Sequence, residues 1–367
     1  MIDKKRKLRY IDAIRGIAIL SVIAVHTSQH GTNLYPKLIQ NLMNEGARGV
    51  QLFYVASAFT LFLSYNYRKG KEIHTNRNFY LRRYFRIAPL YYLGIIYYFL
   101  FYSSETTSAF NVFSNFLFVH GLSPYWIDNL VPGGWSITVE MTFYLIFPFI
   151  AKKINTLNQA VKFTLFSCIC TAILKIILIK YPLIHESDVW AHYLFLFFPN
   201  HLPVFGIGII AYFIIDRKDY QLSPFSLILL FIVLIIQFIW ETIEWVAFIP
   251  NHLFFGAAFL VLLLALQKKE YVLVVNKVTC FMGKISYSAY LVHFAVLFFM
   301  SKINFVDFVD TTNNIYSLLN YLIRFCLVVL CTAFISYLTF RIIEIPFQNL
   351  GKKIIAKLEM NQKKETI

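Results

Sequence analysis

The chain has 367 residues, of which 58% are hydrophobic and only 14% are charged. Because soluble globular domains have about 25% charged residues, this composition excludes an ordinary soluble protein. The net charge of +15 would suggest a nucleic-acid partner in a soluble chain, but here apolar segments run from end to end and no nucleic-acid binding is predicted.

Ten apolar segments are long enough to cross a lipid bilayer as helices. A hydrocarbon core about 30 Å thick requires about 20 mainly apolar residues per crossing, because backbone polar groups must be hydrogen-bonded within the segment. The predicted spans are 10–29, 49–65, 87–103, 135–151, 162–181, 191–215, 223–240, 252–267, 281–300 and 317–340. We therefore predict an all-α polytopic membrane bundle, with a transmembrane domain at residues 1–350 and a basic cytoplasmic tail at 351–367.

The basic residues predict the orientation of this bundle. Short loops rich in Lys and Arg stay on the cytoplasmic side of a membrane. With the N-terminus inside, 27 of the 34 Lys and Arg residues fall in cytoplasmic segments, and Lys37, Arg48 and Lys302 alone fall outside. Both termini are therefore predicted to be cytoplasmic in a protein of the cell membrane, and membrane topology accounts for most of the positive charge.

Two segments need separate treatment. Residues 109–121 are apolar but short, and a crossing there would place Lys152 and Lys153 outside, so a re-entrant or interfacial helix is predicted. The N-terminus imitates a signal peptide, but charged residues interrupt its apolar run and no cleavage site follows His26. We predict that it is retained as the first span.

The first span contains three ionisable residues, which are rare at membrane depth because a charge there costs at least roughly 2.5 kcal/mol. Arg15 and His26 are eleven residues apart, which places them on one helix face and about 16.5 Å apart along the axis. Asp12 lies one turn before Arg15 and is predicted to pair with it. A structural interpretation makes Arg15 a snorkelling residue and His26 a hydrogen-bonded core residue. A functional interpretation makes His26 a proton-transfer group or a transient acyl carrier.

Three arginines, Arg82, Arg83 and Arg86, crowd one helical turn before the third predicted span. They are either topogenic charges that contact lipid headgroups or a phosphate site, since guanidinium groups bind phosphate oxygens in a bidentate manner. Coenzyme A is a cytoplasmic molecule with three phosphates. The sequence leaves both interpretations open.

Two further segments place polar side chains on single helix faces. In PGGWSITVE, Ser136 and Glu140 are spaced i, i+4, and Glu140 is expected to orient a histidine, to take a proton, or to bridge to another helix. Trp135 is expected to be an interfacial anchor. In KISYSAYLVHF, Tyr290 and His293 continue a polar stripe that begins at Ser286, and a structural role for His293 is a hydrogen bond between helices.

Five spaced patterns occur in one order along the chain. They are R-x10-H at Arg15 and His26, RxxR at Arg83 and Arg86, W-S-x-x-x-E from Trp135 to Glu140, SYxxYLxH ending at His293, and ExPF from Glu344. Each pattern alone is weak, but together they resemble the acyltransferase-3 family of integral-membrane acyltransferases over nearly the whole chain. Where members often have S-G-F, this chain has Ser57, Ala58 and Phe59, a change that is expected to be tolerated.

The resemblance implies a bundle of about ten helices that transfers an acyl group, often acetyl, from a cytoplasmic donor to a carbohydrate at or beyond the outer face. It assigns the family's essential Arg and His to Arg15 and His26, and its RxxR pair to Arg83 and Arg86. Some members have an additional extracytoplasmic esterase-like domain, which this chain is expected to lack. The protein is then expected to acylate its acceptor directly or to act with a separate extracytoplasmic transferase.

The residues and the resemblance together give one mechanistic hypothesis. Acyl-CoA, most simply acetyl-CoA, is a donor substrate that docks its phosphates on the arginine turn, while Arg15 helps to hold it. His26 acts as a base on a carbohydrate hydroxyl or as an acyl carrier, and Glu140 supports the outer part of the site. The supporting positions are Asp12, Trp135, Ser136, Tyr290 and His293. No permanently bound cofactor is predicted, and no metal site, because the five cysteines lack metal-ligand spacing.

The main alternative is a transporter or flippase for a polysaccharide or glycolipid, because carriers also place Arg, His and Glu inside helical bundles. A catalytically idle scaffold in contact with membrane lipids would not require Arg15 and His26 on one stripe. Composition does not separate these possibilities.

Overall fold

The structure is a computed structural model that describes residues 8–32, 34–102, 107–218, 252–309 and 313–365. Within these ranges the regular secondary structure is helical and no strand occurs. Seven helices there are long and apolar enough to cross a membrane, and a bent helix pair adds an eighth span if it is counted as one. The prediction of an all-α, multi-pass membrane protein is confirmed. The count of ten spans and the sides of the termini stay predictions.

The described helices follow one another along the chain. They are α1 (Arg9–Ser28), α2 (Lys37–Asn44), α3 (Gly49–Arg68), α4 (Thr75–Tyr102), α5 (Ala109–Phe116), α6 (Gly134–Lys153), α7 (Leu157–Lys180), α8 (Ser187–Leu196), α9 (Phe198–Tyr212), α10 (His252–Lys268), α11 (Lys277–Lys284), α12 (Ser286–Lys302), α13 (Asn314–Thr339) and α14 (Ile345–Glu365). Residues predicted as a basic tail begin inside α14, which runs through position 350 without a break.

Most predicted spans correspond to one of these helices. The predicted span 223–240 lies outside the described residues. The predicted span 252–267 lies in α10, whose 17 described residues extend about 25 Å. Residues 109–121 contain α5, which has eight residues and is too short to cross.

The chain divides into two compact units. The central unit contains Tyr54–Gln267 and Gln348–Ile367, and the flanking unit contains Asp3–Phe53 and Lys268–Phe347. The names refer to position in the sequence. The flanking unit joins the first helix of the chain to α11, α12 and α13, which lie near the end of the sequence.

In the flanking unit, α1 and α11 pack backbone against backbone. A Cβ atom on Gly16 would collide with the Thr279 carbonyl, and one on Gly283 would collide with the Asp12 carbonyl. Helix α11 begins at a capping box. The Asn276 side chain accepts from the backbone N–H of Thr279, and the Thr279 hydroxyl accepts from the backbone N–H of Asn276. These glycines and this cap set the direction of α11 independently of the helix that follows.

The predicted span 281–300 is therefore not one straight helix. The helix is interrupted at Ile285, and the axes of α11 and α12 differ in direction by 83°. The apolar character continues through the break, so hydropathy alone does not record the change of direction. Helix α12 restarts at Ser286 and carries Tyr290 and His293.

In the central unit, aromatic side chains fill the space between α3, α4, α6 and α9. The rings of Phe143 and Phe205 stack with centroids 4.0 Å apart, and those of Phe79 and Phe147 stack at 4.9 Å. Aromatic pairs of this kind add about 0.5–1.5 kcal/mol each beyond the burial of their area. This packing holds rigidly the faces of α4 and α6 that carry the polar residues of the candidate site.

Candidate active site

Glu140 is the centre of a polar cluster in the central unit. The Ser57 hydroxyl on α3 donates to Glu140 Oε1 at 2.6 Å, and the Tyr144 hydroxyl, one turn along α6, donates to the same oxygen at 2.5 Å. Hydrogen bonds to an ionised carboxylate are short and about twice as strong as neutral ones. The two donors therefore orient the Glu140 carboxyl group.

Arg83 supplies the positive charge of this cluster. Its guanidinium lies over the rings of Phe79 and Tyr144, with centroid distances of 5.8 and 5.7 Å, and interacts electrostatically with Glu140. Its Nε atom is buried and has no hydrogen-bond partner among the described residues. We call Ser57, Arg83, Glu140 and Tyr144 the carboxylate cluster. It joins three of the sequence patterns, S-A-F, RxxR and W-S-x-x-x-E, in one place.

The other two arginines of the turn lie in different surroundings. Arg82 donates to both carboxylate oxygens of Glu72, at 2.8 and 3.1 Å, so its guanidinium is already engaged in a bidentate ion pair. Arg86 is half-buried and lies close enough to Arg83 and Tyr144 to act on both electrostatically. The three predicted phosphate ligands do not form one exposed surface.

The start of α6 is anchored from the preceding loop by a histidine that sequence reasoning missed. The Nε2–H of His120 donates to the Gly134 carbonyl at 3.1 Å, and the Asp128 carboxylate accepts from the Gly133 backbone at 3.2 Å. Burial lowers the pKa of His120 to about 4. His120 is therefore neutral at physiological pH. The sequence offered little indication of this role, because His120 lies in the short apolar segment 109–121 that is predicted to be re-entrant or interfacial.

Trp135 and Ser136 lie at the first turn of α6. The Ser136 hydroxyl donates to the Gly133 carbonyl at 2.9 Å, and the Tyr54 hydroxyl donates to the Ser136 carbonyl at 3.4 Å. The Trp135 ring lies 5.2 Å from the ring of the buried His201. Both predicted residues thus contact neighbouring helices of the central unit, and His201 is a second buried histidine that no sequence pattern indicated.

A second cluster lies in the flanking unit around His26. Its ring centroid is 5.4 Å from that of His293 and 4.4 Å from that of Phe294. His26 Nδ1 lies 3.0 Å from the Gln29 side-chain oxygen, which can only accept, so Nδ1 carries the hydrogen. In the neutral ring the basic lone pair is then on Nε2, which is the atom required for a base or an acyl carrier.

His293 has the same hydrogen placement as His26. It is fully buried, and its Nδ1 donates to the Ala289 carbonyl at 3.1 Å. Its Nε2 is buried and has no hydrogen-bond partner in the part of the chain that the structure describes. The Tyr290 ring lies 5.8 Å from the His293 ring. We call His26, His293 and Tyr290 the histidine cluster.

Arg15 and Asp12 lie three turns or more before His26 on the same helix. Helix α1 is unbroken from Arg9 to Ser28, so Arg15 and His26 keep their common face and an axial separation of about 16.5 Å. Arg15, Asp12 and His26 are half-buried. The common face that the spacing predicts is therefore present in the helix.

A buried ion pair, which sequence reasoning missed, holds the turn after α1. Arg324 of α13 is fully buried and donates to the Thr27 carbonyl at 3.2 Å, to Asp307 at 3.1 Å and to the Tyr35 hydroxyl at 3.1 Å. Asp307 in turn accepts from the backbone and hydroxyl of Thr32. An arginine inside a span was the available signal, but its partners lie in distant segments.

His30 lies in the same turn, four residues after His26. Its Nδ1 is 2.7 Å from the Ser301 hydroxyl. Burial lowers the pKa of His30, and the neighbouring Arg324 and His26 lower it further. Ser288 of α12 donates to Glu344, the first residue of the ExPF pattern, so Glu344 has a partner inside the flanking unit.

The chemistry available to these groups is proton transfer and nucleophilic attack. Among the described residues, no group of three or more His, Cys, Asp or Glu side chains is arranged to bind a metal ion. In both His26 and His293 the Nδ1 atom lies beside a hydrogen-bond acceptor, so Nε2 is the basic atom of the neutral ring. In the central unit, Glu140 lies close enough to Arg83 to interact with it electrostatically.

Comparison with known proteins identifies the family. A family model for an acyltransferase domain matches residues 8–341, which includes the first of the patterns at Arg15 and all later ones as far as Arg341. No curated protein and no solved structure matches the chain. Since the match covers nearly the whole sequence and the described helices are those of a multi-pass membrane protein, the chain belongs to the acyltransferase-3 family and is a membrane acyltransferase.

Proposed function

We propose that the protein transfers an acetyl group from cytoplasmic acetyl-CoA to a hydroxyl of a cell-surface or exported carbohydrate. The proposal places it in the cell membrane with both termini in the cytoplasm. The observation that carries it is the state of His26. Its Nδ1 lies 3.0 Å from the Gln29 side-chain oxygen, and its ring packs against His293 and Phe294, so the imidazole is held in one orientation.

The reaction exchanges one ester bond for another. The hydroxyl oxygen attacks the thioester carbonyl, the C–S bond breaks, and the hydroxyl proton passes through His26 Nε2 to the departing thiolate of coenzyme A. In the alternative route, His26 Nε2 attacks the thioester first and the acyl-imidazole then passes its acyl group to the hydroxyl. Transfer from a thioester to an ester is not strongly uphill, so neither route requires nucleotide hydrolysis.

Two other groups have supporting roles in this proposal. Arg15, on the same face of α1 as His26, holds the donor by its positive charge. Glu140 provides an oriented carboxyl group, because two hydroxyl donors hold one of its oxygens and Arg83 lies nearby. Such oriented charges act strongly where water is excluded.

The test uses purified protein in lipid nanodiscs with radiolabelled acetyl-CoA and a polysaccharide extract. Release of the coenzyme A thiol and label on the glycan are expected for the wild type. Both are expected to be lost in His26→Ala and kept in His185→Ala, which removes an exposed histidine of the other unit. Normal turnover in His26→Ala would remove the catalytic role of His26. Movement of a glycan without consumption of donor would favour a transporter.

Single turnover without acceptor separates the two routes. If His26 carries the acyl group, an excess of enzyme releases one thiol for each bound donor before any acceptor is added. If His26 is only a base, thiol release waits for the carbohydrate. Either outcome is read on the same wild-type protein with the His26→Ala variant as control.

A further inference from the structure

An open cavity of about 620 Å³ lies in the central unit, where α3 ends and α4 begins. Ligand pockets in proteins are typically about 300–1,000 Å³, so the cavity is large enough for a small molecule or part of a larger one. It is formed by the loop between the two helices together with Lys152 at the end of α6. No proposed catalytic group lines it.

Positive charge converges on this cavity. Lys69, Arg77 and Lys152 line it, His74 adds a titratable group, and no carboxylate is among the lining residues. The side chains of Lys69 and Lys152 are exposed and take part in no ion pair among the described residues. Arg77 pairs with Glu359, so Lys69 and Lys152 are the two described cations here without an ion-pair partner, and a bound anion relieves their mutual repulsion.

Arg77 is fixed in place at the wall of the cavity. Its Nη2 atom contacts Glu359 at 3.6 Å and Gln362 at 3.3 Å. Its Nε atom is buried and has no hydrogen-bond partner within the described part of the chain. A guanidinium that is held by two side chains loses little freedom when it binds an anion.

The end of a long helix adds to the positive field. Helix α4 has 28 residues and begins at Thr75, which also lines the cavity. The first N–H groups of a helix have no partner within the helix, and its N-terminus carries a partial positive charge. Glu359 accepts from the backbone of Ile73 and His74, just before this end, and so secures the loop without lying in the cavity.

We propose that this cavity binds a phosphate-bearing ligand, whose several phosphate oxygens the basic side chains share. The spread of Lys69, Arg77 and Lys152 around a helix N-terminus fits several phosphate oxygens better than one carboxylate. Two sources supply this chemistry, namely the nucleotide phosphates of a soluble donor such as acyl-CoA and the headgroup of an anionic phospholipid. The proposal rests on the proposed function only for the choice of acyl-CoA as one source.

The proposal moves the phosphate site away from the predicted arginine turn. Arg82 is engaged by Glu72, and Arg83 lies among aromatic rings. Arg77 precedes Arg83 by six residues on α4, which is about 9 Å along the helix. A long donor anchored by its phosphates in the cavity would then extend its thioester arm past the arginine turn.

Calorimetric titration of the full detergent-purified chain tests the site without measuring acyl transfer. The probes are adenosine 3′,5′-bisphosphate and inorganic pyrophosphate. We expect saturable binding that weakens with added salt, and at least a tenfold loss of affinity in the Lys69→Ala/Lys152→Ala variant. The control, Lys352→Ala/Lys353→Ala, removes the same charge from exposed positions on α14 and is expected to bind normally.

Lysine protection in nanodiscs identifies the source and does not depend on a variant. Wild-type protein in phosphatidylcholine discs, with or without phosphatidic acid, is treated with an amine-reactive reagent, and Lys69 and Lys152 are quantified by mass spectrometry. Protection by the bisphosphate in neutral discs indicates a soluble donor, and protection by phosphatidic acid alone indicates a lipid. Protection by neither, or unchanged pyrophosphate binding in the double variant, overturns the proposal and leaves the acyltransferase assignment intact.

Discussion

The Ser57 hydroxyl donates a hydrogen bond of 2.6 Å to the Glu140 carboxylate, and this bond joins two sequence patterns that are 83 residues apart. Tyr144 donates to the same oxygen, and Arg83 lies near enough to balance the charge. The i, i+4 spacing of Ser136 and Glu140 suggested a polar face on α6. The structure shows that partners from two other helices, α3 and α4, surround Glu140 on that face.

Neutralising Glu140 is expected to damage both stability and activity. In Glu140→Gln, the two hydrogen bonds lose their ionic character and Arg83 loses its counter-charge, which should cost about 2–3 kcal/mol. Thermal unfolding in nanodiscs and acyl-transfer rates measure the effect, and we expect more than a tenfold loss of rate. Ser57→Ala removes one donor only and should cost about 1 kcal/mol. A Glu140→Gln protein with wild-type stability and rate would show that the carboxylate charge is not used.

Breaking the buried Arg324–Asp307 pair is expected to be strongly destabilising. Arg324→Met removes the donor that Asp307 and the Tyr35 hydroxyl share, although Asp307 keeps its hydrogen bonds from Thr32, and removal of one partner of a buried pair typically costs about 3–5 kcal/mol. The double variant Arg324→Met/Asp307→Asn should lose less than the sum of the two single variants. Unfolding midpoints of the four proteins give this coupling energy. Additive losses would mean that the pair acts through its other contacts.

His293 allows a separation of catalytic from structural roles. Replacement by Phe keeps a ring of similar size and removes a buried polar atom that has no hydrogen-bond partner among the described residues, so stability should be unchanged or slightly higher. We expect kcat to fall about tenfold while KM for the donor stays constant, because position 293 no longer offers a basic nitrogen beside the His26 ring. Full activity of His293→Phe would restrict His293 to packing.

Acid is expected to destabilise the protein through His120. The pKa of His120 is lowered to about 4 by burial, so the unfolded chain binds a proton there at a higher pH than the folded chain does. The contribution of His120 to the free energy of unfolding is therefore fully present above about pH 6.5. It decreases as the pH drops towards 4, by up to about 3 kcal/mol. Unfolding midpoints measured across this range should fall less steeply in His120→Asn than in wild type. The exposed control His185→Asn should follow the wild-type curve.

The glycine crossing of α1 and α11 is expected to tolerate no added methyl group. Gly283→Ala places a Cβ against the Asp12 carbonyl and should cost about 1–3 kcal/mol or more. Gly94→Ala is the matched control, because a Cβ there meets no described atom within 4 Å and alanine favours a helix. Expression level and thermal unfolding report both changes. Equal stability of the two variants would mean that α1 and α11 separate easily.

Hydropathy and charge spacing predicted the helical class and most spans because they depend on short stretches of chain. The bend at Ile285 was not predicted, since it is set by Gly16 and Gly283, which lie far apart in the sequence. The same reason hid the role of Arg324, whose bond to Thr27 spans 297 residues. The sequence shows that an arginine such as Arg324 is unusual inside a span, but its hydrogen-bond partners depend on tertiary structure.

The ion pair of Arg82 shows the same limit at short range. The sequence places three arginines in one turn, and only the structure shows that Glu72, ten residues earlier, engages the first of them. Charges that share a helical turn need not share an environment, because neighbouring rings and carboxylates differ for each position.

The position of α1 in the flanking unit has a consequence for biogenesis. This helix is inserted first, yet the helices that cover Gly16 and bind its C-terminal end are made only after roughly 200 further residues, between Phe53 and Lys268. At about 5–20 residues per second, the ribosome needs about 10–40 s for that interval. The nascent chain therefore keeps the α11-facing side of its first helix uncovered in the bilayer for that time, and polypeptides truncated before Lys268 would expose that side permanently to quality-control proteases.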